Sequence, residues 1–500
     1  MSSPAVARKP RNVEESPSKT ETPPMRGPMT TIGVLFALLT LHIFTLISSD
    51  LIPGPYMDEI FHIKQARTYC GGNFTEWDPK LTTLPGLYFV SLAEWKFLSL
   101  FVTLKDPCSV WNLRLTNFFF AVAGIFLFHR ILLIIHPHYT NSSKFQLYTS
   151  AINLSTFPLL YFFTFLYYTD QASTFFTLAM LYFHISGSRG LAALIGAVAV
   201  FTRQTNIVWV GSLAALELFK SYRLIMQTVA RTEDLKKITD DKDLQVLLSP
   251  FLSLLRNPTK SNLRRVAGFF LGVLVEGVPR ILGYLTVMAG FLAFLIHNKG
   301  IVVGDRSAHQ ASLHIPQLFY FTAFTLFFAS PYLITPTKVK AFFFDCLHRP
   351  VRVVIAVGAI TAAIANFTYA HPYLLADNRH YTFYIWNRLF QRHHLVKYAL
   401  TPVYLYGFWA MWDELRQRGV LRMLLFFAAC CAVLVPQQLL EFRYFILPYL
   451  LFRIQLQKPS ASQVVMEFLL YQAVNAVTLW LFLYKPFKTP GTGELQHFMW

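Results

Sequence analysis

Charge is scarce in this 500-residue chain: Asp, Glu, Lys and Arg together make up 14% of it, where a soluble globular domain carries about a quarter. That shortage excludes an ordinary soluble fold. Phosphate-cradling glycine loops are missing too, with no GxGxxG, no Walker A stretch and no DxD beside a soluble nucleotide-binding domain. A nucleotide ligand held by a Rossmann domain is therefore excluded. Cysteine is sparse. The five, Cys70, Cys108, Cys346, Cys430 and Cys431, show neither CxxC nor metal-ligand spacing, and no disulfide framework is expected. No His pair stands at i, i+4 with a Glu as a zinc helix requires, so neither a metal nor a cofactor is expected. Internal repeats and heptads are also absent.

What is present is apolar bulk. Hydrophobic residues reach 54%, with 48 Phe and 24 Tyr, and the mean hydropathy is +0.42. Apolar runs of about 18 residues or more recur, each long enough to span a bilayer. The fold expected is an all-α polytopic membrane protein, with spans at 31–52, 85–104, 115–135, 147–166, 172–187, 191–215, 266–297, 315–333, 351–368, 396–412, 421–437, 440–456 and 463–484. The number of transmembrane helices is about 11–14. Residues 1–30 read as a disordered tail rich in Pro and Ser. The run 30–52 lacks a cleavage site and reads as a signal anchor. Residues 31–484 form the bundle and 485–500 a C-terminal tail. The net charge of +18 falls largely in short loops, where it sets topology and meets lipid headgroups rather than nucleic acid.

Basic clusters in the tail, in the 216–265 loop, after 333 and at Arg416–Arg422 assign one side to the cytosol. The opposite side receives the loops 53–84, 298–314 and 369–395 and the stretch from Glu441 to Arg443. By the same count "YYTD", Tyr167 to Asp170, falls on the cytosolic side. Joining it to the other face requires two nearby spans to be re-entrant or broken.

The chemistry-bearing residues gather in those loops. "YMDEIFHIKQARTY" reads as an amphipathic interfacial helix. Adjacent residues do not share a helix face, so at most one of Asp58 and Glu59 points into a site. Acids in a first helical turn also complement its dipole. In "WDPKLTTLPGLY", Trp77 offers an aromatic face for a sugar or the interface, and Asp78 before Pro79 favours a turn. Asp305, Arg306 and His309, and then Asp377, Asn378, Arg379 and His380, combine acid, Arg and His. Arg makes forked bonds to phosphate, and Asp and Asn suit sugar hydroxyls; local charge pairing within a polar loop is the alternative. Basic residues at 369–395 run against the positive-inside trend, as a phosphate site there would require. Glu441, Arg443 and Arg203 are ionisable groups at the edge of or inside apolar runs, where each usually faces a partner or a cavity. Asn73, in the sequon Asn73-Phe74-Thr75, is the glycosylation candidate.

Together "PYMDEIFHI", "WDPKLTTLPGLY", "FLYYTD", "RQTNI", "GDRSAHQASLHIPQLFYF", "YLLADNRHYTFY", "LLEFRYFILPY" and "HFMW" resemble the endoplasmic-reticulum alpha-1,2-glucosyltransferase family that uses dolichyl phosphate glucose. The resemblance implies a GT-C type bundle in the endoplasmic reticulum membrane, with lumenal loops, interfacial helices and an active site on the lumenal face. Its partners would be dolichyl phosphate glucose, a dolichyl-diphosphate oligosaccharide and the bilayer, with no nucleic acid. It places the catalytic acid on Asp58, with Glu59 second. Trp77, Asp78, Arg203, Asp305, Arg306, His309, Asp377, Asn378, Arg379, His380, Glu441 and Arg443 would bind substrate. A transporter or lipid flippase is the alternative from another class; many such proteins show repeated halves, and no repeat is found here. A non-catalytic partner of membrane proteins is the third.

Overall fold

A computed structural model describes residues 27–103, 106–140, 143–229, 248, 252–306, 311–488 and 493–500. It is an all-α bundle; among the described residues the one sheet is a two-stranded ribbon, Phe487–Lys488 against Leu495–Gln496. Among the described residues five helices are long and apolar enough to cross a membrane: Pro28–Leu51, Val110–Ile135, Lys260–Asn298, Pro350–Phe367 and Ala461–Tyr484. In hydrocarbon a helix is the form that satisfies every backbone N–H and C=O internally. These helices turn apolar side chains outward as well as inward; Leu35, Leu38 and Leu39 on the first and Val351, Val354 and Ile355 on the fourth are exposed.

The helices relevant to the site are α1 (Pro28–Thr45), α2 (Glu59–Cys70), α3 (Gly86–Leu98), α4 (Val110–Ile135), α5 (Lys144–Ser155), α6 (Pro158–Phe162), α7 (Thr169–Ile185), α8 (Arg189–Thr202) and α9 (Ile207–Val229). α4 starts at a Ser109 cap whose side chain accepts from Asn112 N–H. Near that end Arg114 meets Glu59; beyond its other end His136 meets Arg418 and the Ile454 carbonyl. The bundle thus has an Asp58 face and an opposite face.

Two expected spans are corrected. The run 85–104 does not form one helix of membrane-spanning length. α3 has 13 residues, about 20 Å of helix, and the chain after it returns to Cys108, which is disulfide-bonded to Cys70 at the end of α2. The expectation of no disulfide is corrected by the same bond. α3 begins against α8: a Cβ on Gly86 would stand 2.4 Å from the Phe201 carbonyl oxygen, so only glycine allows this approach.

The run 191–215 is not one span. At Arg203 the backbone turns extended, with φ −153° and ψ 119°, and the chain folds back. α8 and α9 then lie antiparallel. Arg189 and Glu217 pair at 2.6 Å at one end, and Asn206 Nδ2 donates to the Ala199 carbonyl at 2.8 Å at the other. Removing one pass and splitting another leaves the direction of every later pass unchanged. Between the two corrections it reverses the chain, and Asp170 and Arg203 arrive on the Asp58 face.

The core is aromatic, with Phe157 stacked on Tyr449 at 4.6 Å. An ionic cross-link also ties helices together there. Arg453 Nε and Nη2 donate to the two carboxylate oxygens of Glu467 at 2.6 and 2.7 Å. Tyr332 and Asn153 donate to the same carboxylate, each at 2.7 Å.

Candidate active site

Asp58 and Glu59 open α2 after the Ile52–Tyr56 turn and leave it in opposite directions. Glu59 is fully buried. Arg114 grips its carboxylate through Nε and Nη2 at 2.7 and 2.6 Å. The backbone N–H groups of Tyr167 and Tyr56 donate to the same carboxylate at 2.7 and 2.9 Å. The Arg114 guanidinium also donates to the carbonyls of Ile52 and Gly54. Both oxygens are enclosed, so Glu59 offers no oxygen to a ligand.

Asp58 is the opposite case. Its side chain is 48% exposed and its one ion pair is long, 3.4 Å to Arg443 Nη2. Its N–H is held at 3.1 Å by the Tyr168 hydroxyl. Arg443 is the hub of the cluster. Its Nε meets Glu441, and its Nη1 lies 3.9 Å from Asp170 Oδ2. Its plane rests over Phe163 and Tyr168, 5.5 and 5.2 Å from the ring centres. Asp170 is buried in the first turn of α7, where the helix dipole favours an acid. Arg203 Nη1 donates to its Oδ1 at 3.0 Å, and its Oδ2 has no hydrogen bond. Arg203 and Arg443 are thus answered by Asp170 and Glu441, and Asp58 is the surplus carboxylate, the most exposed of the three.

His62 lies one turn below Asp58, and its Nδ1 is 2.7 Å from the Tyr88 hydroxyl. Burial pushes its pKa down to about 4, against the pull of Asp58. The ring is neutral at pH 7 and acts as an uncharged floor.

The 369–395 loop supplies a second pair. Arg379 holds Asp377 through two bonds of 2.8 Å, and His380 Nε2 lies 3.8 Å from the same carboxylate. Burial works to raise the Asp377 pKa, but the Arg379 hydrogen bonds and the nearby His380 outweigh it and hold it below the usual range. The hydrogen bond to Asp377 raises the Arg379 pKa, and the charge of Asp58 adds to the effect. Asn378 is half-buried in the turn between Asp377 and Arg379.

A rim forms from two further loops. The indole N–H of Trp77 closes on the Leu81 carbonyl, and its ring packs near Tyr88. Asp78 caps its own turn at Lys80 N–H and pairs with Lys64 at 3.3 Å. Asp305 N–H donates to the Pro79 carbonyl at 2.7 Å. Gly304 permits that joint, with φ +71° and the Pro79 oxygen 2.4 Å from where a Cβ would stand. Arg306 folds onto Asn298, Lys299 and Val302 of its own loop. Their described contacts hold these loops in shape around the rim. His309 lies outside the described residues. Asn73 is exposed, its amide in a local turn with Thr75 and Glu76. Among the described residues no group of three or more His, Cys, Asp or Glu side chains could hold a metal ion.

The model of the DIE2/ALG10 family matches residues 52–454. The chain belongs to that family. A mouse relative is 42% identical over 462 residues, covering 90% of this chain and 94% of its own. A human relative is 40% identical over 466 residues with the same coverage, and one from Arabidopsis thaliana is 33% identical over 510 residues, covering 91% and 97%. All three are named Dol-P-Glc:Glc(2)Man(9)GlcNAc(2)-PP-Dol alpha-1,2-glucosyltransferase. No solved structure matches.

The count of passes left the face of Asp170 open, conditional on two nearby spans being re-entrant or broken, and the sequence reading passed over Arg114. The signal for Arg114 is an arginine inside "WNLRLTNFFF", since an ionisable group at the mouth of a span needs a buried partner.

Proposed function

We propose that this protein is an inverting glucosyltransferase of the endoplasmic reticulum membrane. It moves glucose from dolichyl phosphate glucose to the lipid-linked oligosaccharide Glc2Man9GlcNAc2-PP-dolichol, in alpha-1,2 linkage, on the lumenal face. Membership of the family and the names its relatives carry support the reaction. The observation in this chain that supports the site is the surplus Asp58 carboxylate, half-exposed beside two arginines that already have partners.

The acceptor 2-hydroxyl is placed against Asp58, which takes its proton as the oxygen attacks the anomeric carbon. The bond from that carbon to the phosphate oxygen breaks, and dolichyl phosphate leaves with the electron pair. A single displacement turns a β-linked donor into an α-linked product, so no covalent sugar–protein intermediate forms. Charge grows on the departing phosphate, and the cations Arg443 and Arg379, with the His380 ring as a further hydrogen-bonding group, answer it on this face. Asp170 and Glu441 hold Arg443 and Arg203 in place before substrate arrives. Both reactants are lipid-anchored, which accounts for an acid placed where α1 leaves the bundle.

The test uses purified protein, a short-chain dolichyl phosphate glucose and a lipid-linked acceptor lacking its last glucose, with and without a chelator. A gain of one hexose, released by an alpha-1,2-specific glucosidase and insensitive to the chelator, is expected. Folded protein that adds no hexose would overturn the reading, and chelator-sensitive addition would overturn the metal-free scheme.

A further inference from the structure

Residues 495–500 lie beyond the matched stretch 52–454, and nothing in the mechanism above uses them. They nevertheless touch all three segments that carry the site. After Leu495–Gln496 pairs with Phe487–Lys488, the chain reaches Tyr56, two residues before Asp58. The Tyr56 hydroxyl donates to the His497 carbonyl at 2.6 Å and accepts from the His497 N–H at 2.8 Å. The two rings meet edge-on at 5.4 Å. Tyr56 also donates its own N–H to Glu59, so this joint is fixed to the buried Arg114 anchor.

The strand then runs beside the 379–381 backbone. Met499 N–H donates to the Arg379 carbonyl at 2.9 Å, and Tyr381 N–H donates to the Met499 carbonyl at 3.2 Å. Gln496 Oε1 accepts from Arg379 Nη1 at 3.3 Å, and the Trp500 backbone oxygen lies 2.9 Å from His380 Nδ1. Met499 is fully buried. The Trp500 ring packs against Tyr381 at 4.9 Å and Phe442 at 6.1 Å; Phe442 precedes Arg443.

We infer that residues 495–500 are a strap that sets the spacing between the Asp58 carboxylate and the side chains of Arg379, His380 and Arg443, with Tyr56 and Trp500 as positioning residues for the donor phosphate. Two loops 320 residues apart in sequence, at 58 and near 379, have this shared strand between them. Backbone pairing of this kind fixes the loop's position, and the Gln496 and Trp500 contacts orient the Arg379 and His380 side chains as well. The inference rests on the glucosyltransferase reading.

The experiment compares the full chain with Tyr56→Phe, Trp500→Ala, the double variant and Trp500→Phe, titrating donor and acceptor separately. Each of the first two single variants lowers kcat/KM for the donor about tenfold, while acceptor KM stays within about twofold. The double variant is no worse than the worse single, because both cut one strap, and Trp500→Phe restores most of the loss. Equal losses toward both substrates, or losses that multiply, would overturn the inference. Should Trp500→Ala fail to fold, Tyr56→Phe, which removes one oxygen atom, decides alone. If the unaltered protein transfers no hexose, the functional reading fails; if it transfers and Tyr56→Phe is indistinguishable from it, the strap fails and the reading stands.

Discussion

Two ionic regions of this molecule are built from the same residue types and differ in closure. In the Glu59–Arg114 and Arg453–Glu467 pairs, one acid meets one arginine, contacts fall at 2.6–2.7 Å and exposure is at most 1%. In the Asp58 cluster three acids share two arginines, Asp58 and Asp170 stand 3.4 and 3.9 Å from Arg443, and Asp58 is half-open. Closed pairs spend all their polar capacity on the fold. An open cluster retains capacity for a ligand, because its charges are positioned but not saturated. Adjacent residues Asp58 and Glu59 belong one to each kind.

The largest expected effect is on the closed side. Glu59→Gln leaves the Arg114 charge buried without its counter-ion, which costs about 3–5 kcal/mol of stability. Thermal unfolding in detergent checks it; an unfolding midpoint equal to that of the parent would mean the pair is not closed as described. Second is the flank of the open cluster. Arg379→Gln raises donor KM about tenfold and leaves acceptor KM unchanged. A shift in acceptor KM alone would place the donor phosphate elsewhere.

The smallest effect concerns His62, whose ring packs against Tyr88 and Tyr168 beside the open cluster. Its pKa is lowered to about 4, so the unfolded chain binds the extra proton. Its contribution is complete above about pH 6.5 and is lost as pH falls toward 4, about 1 kcal/mol by pH 5.5. His62→Asn should flatten that part of the stability profile. An unchanged slope between pH 6.5 and 5 would show that the ring is not buried neutral.

The polytopic class was legible from hydropathy, and so was the rule that only one of two adjacent acids faces a site, since helix geometry forbids both. Which one is set by Arg114, a partner 55 residues away that no local pattern names. The passes around Asp170 were misread for two physical reasons. Hydropathy cannot see a disulfide turning the apolar run after Gly86 back on itself. Nor does a window-averaged hydropathy register a reversal at Arg203, where the short polar break Thr202–Asn206 is outweighed by the apolar runs on either side and the turn is stabilised by Asp170 on a neighbouring helix. The condition attached to "YYTD", two nearby spans re-entrant or broken, is the arrangement found at α3 and at the α8–α9 turn. The strap at 495–500 had no sequence signal beyond the resemblance carried by "HFMW".

The account stands on Asp58 being the proton acceptor and not a second anchor. The direct measurement is the transfer rate per folded molecule of Asp58→Asn, with thermal unfolding of the same preparation. A loss of about a thousandfold in turnover with an unchanged unfolding midpoint is expected. Near-normal turnover, or a loss that tracks unfolding, would contradict it.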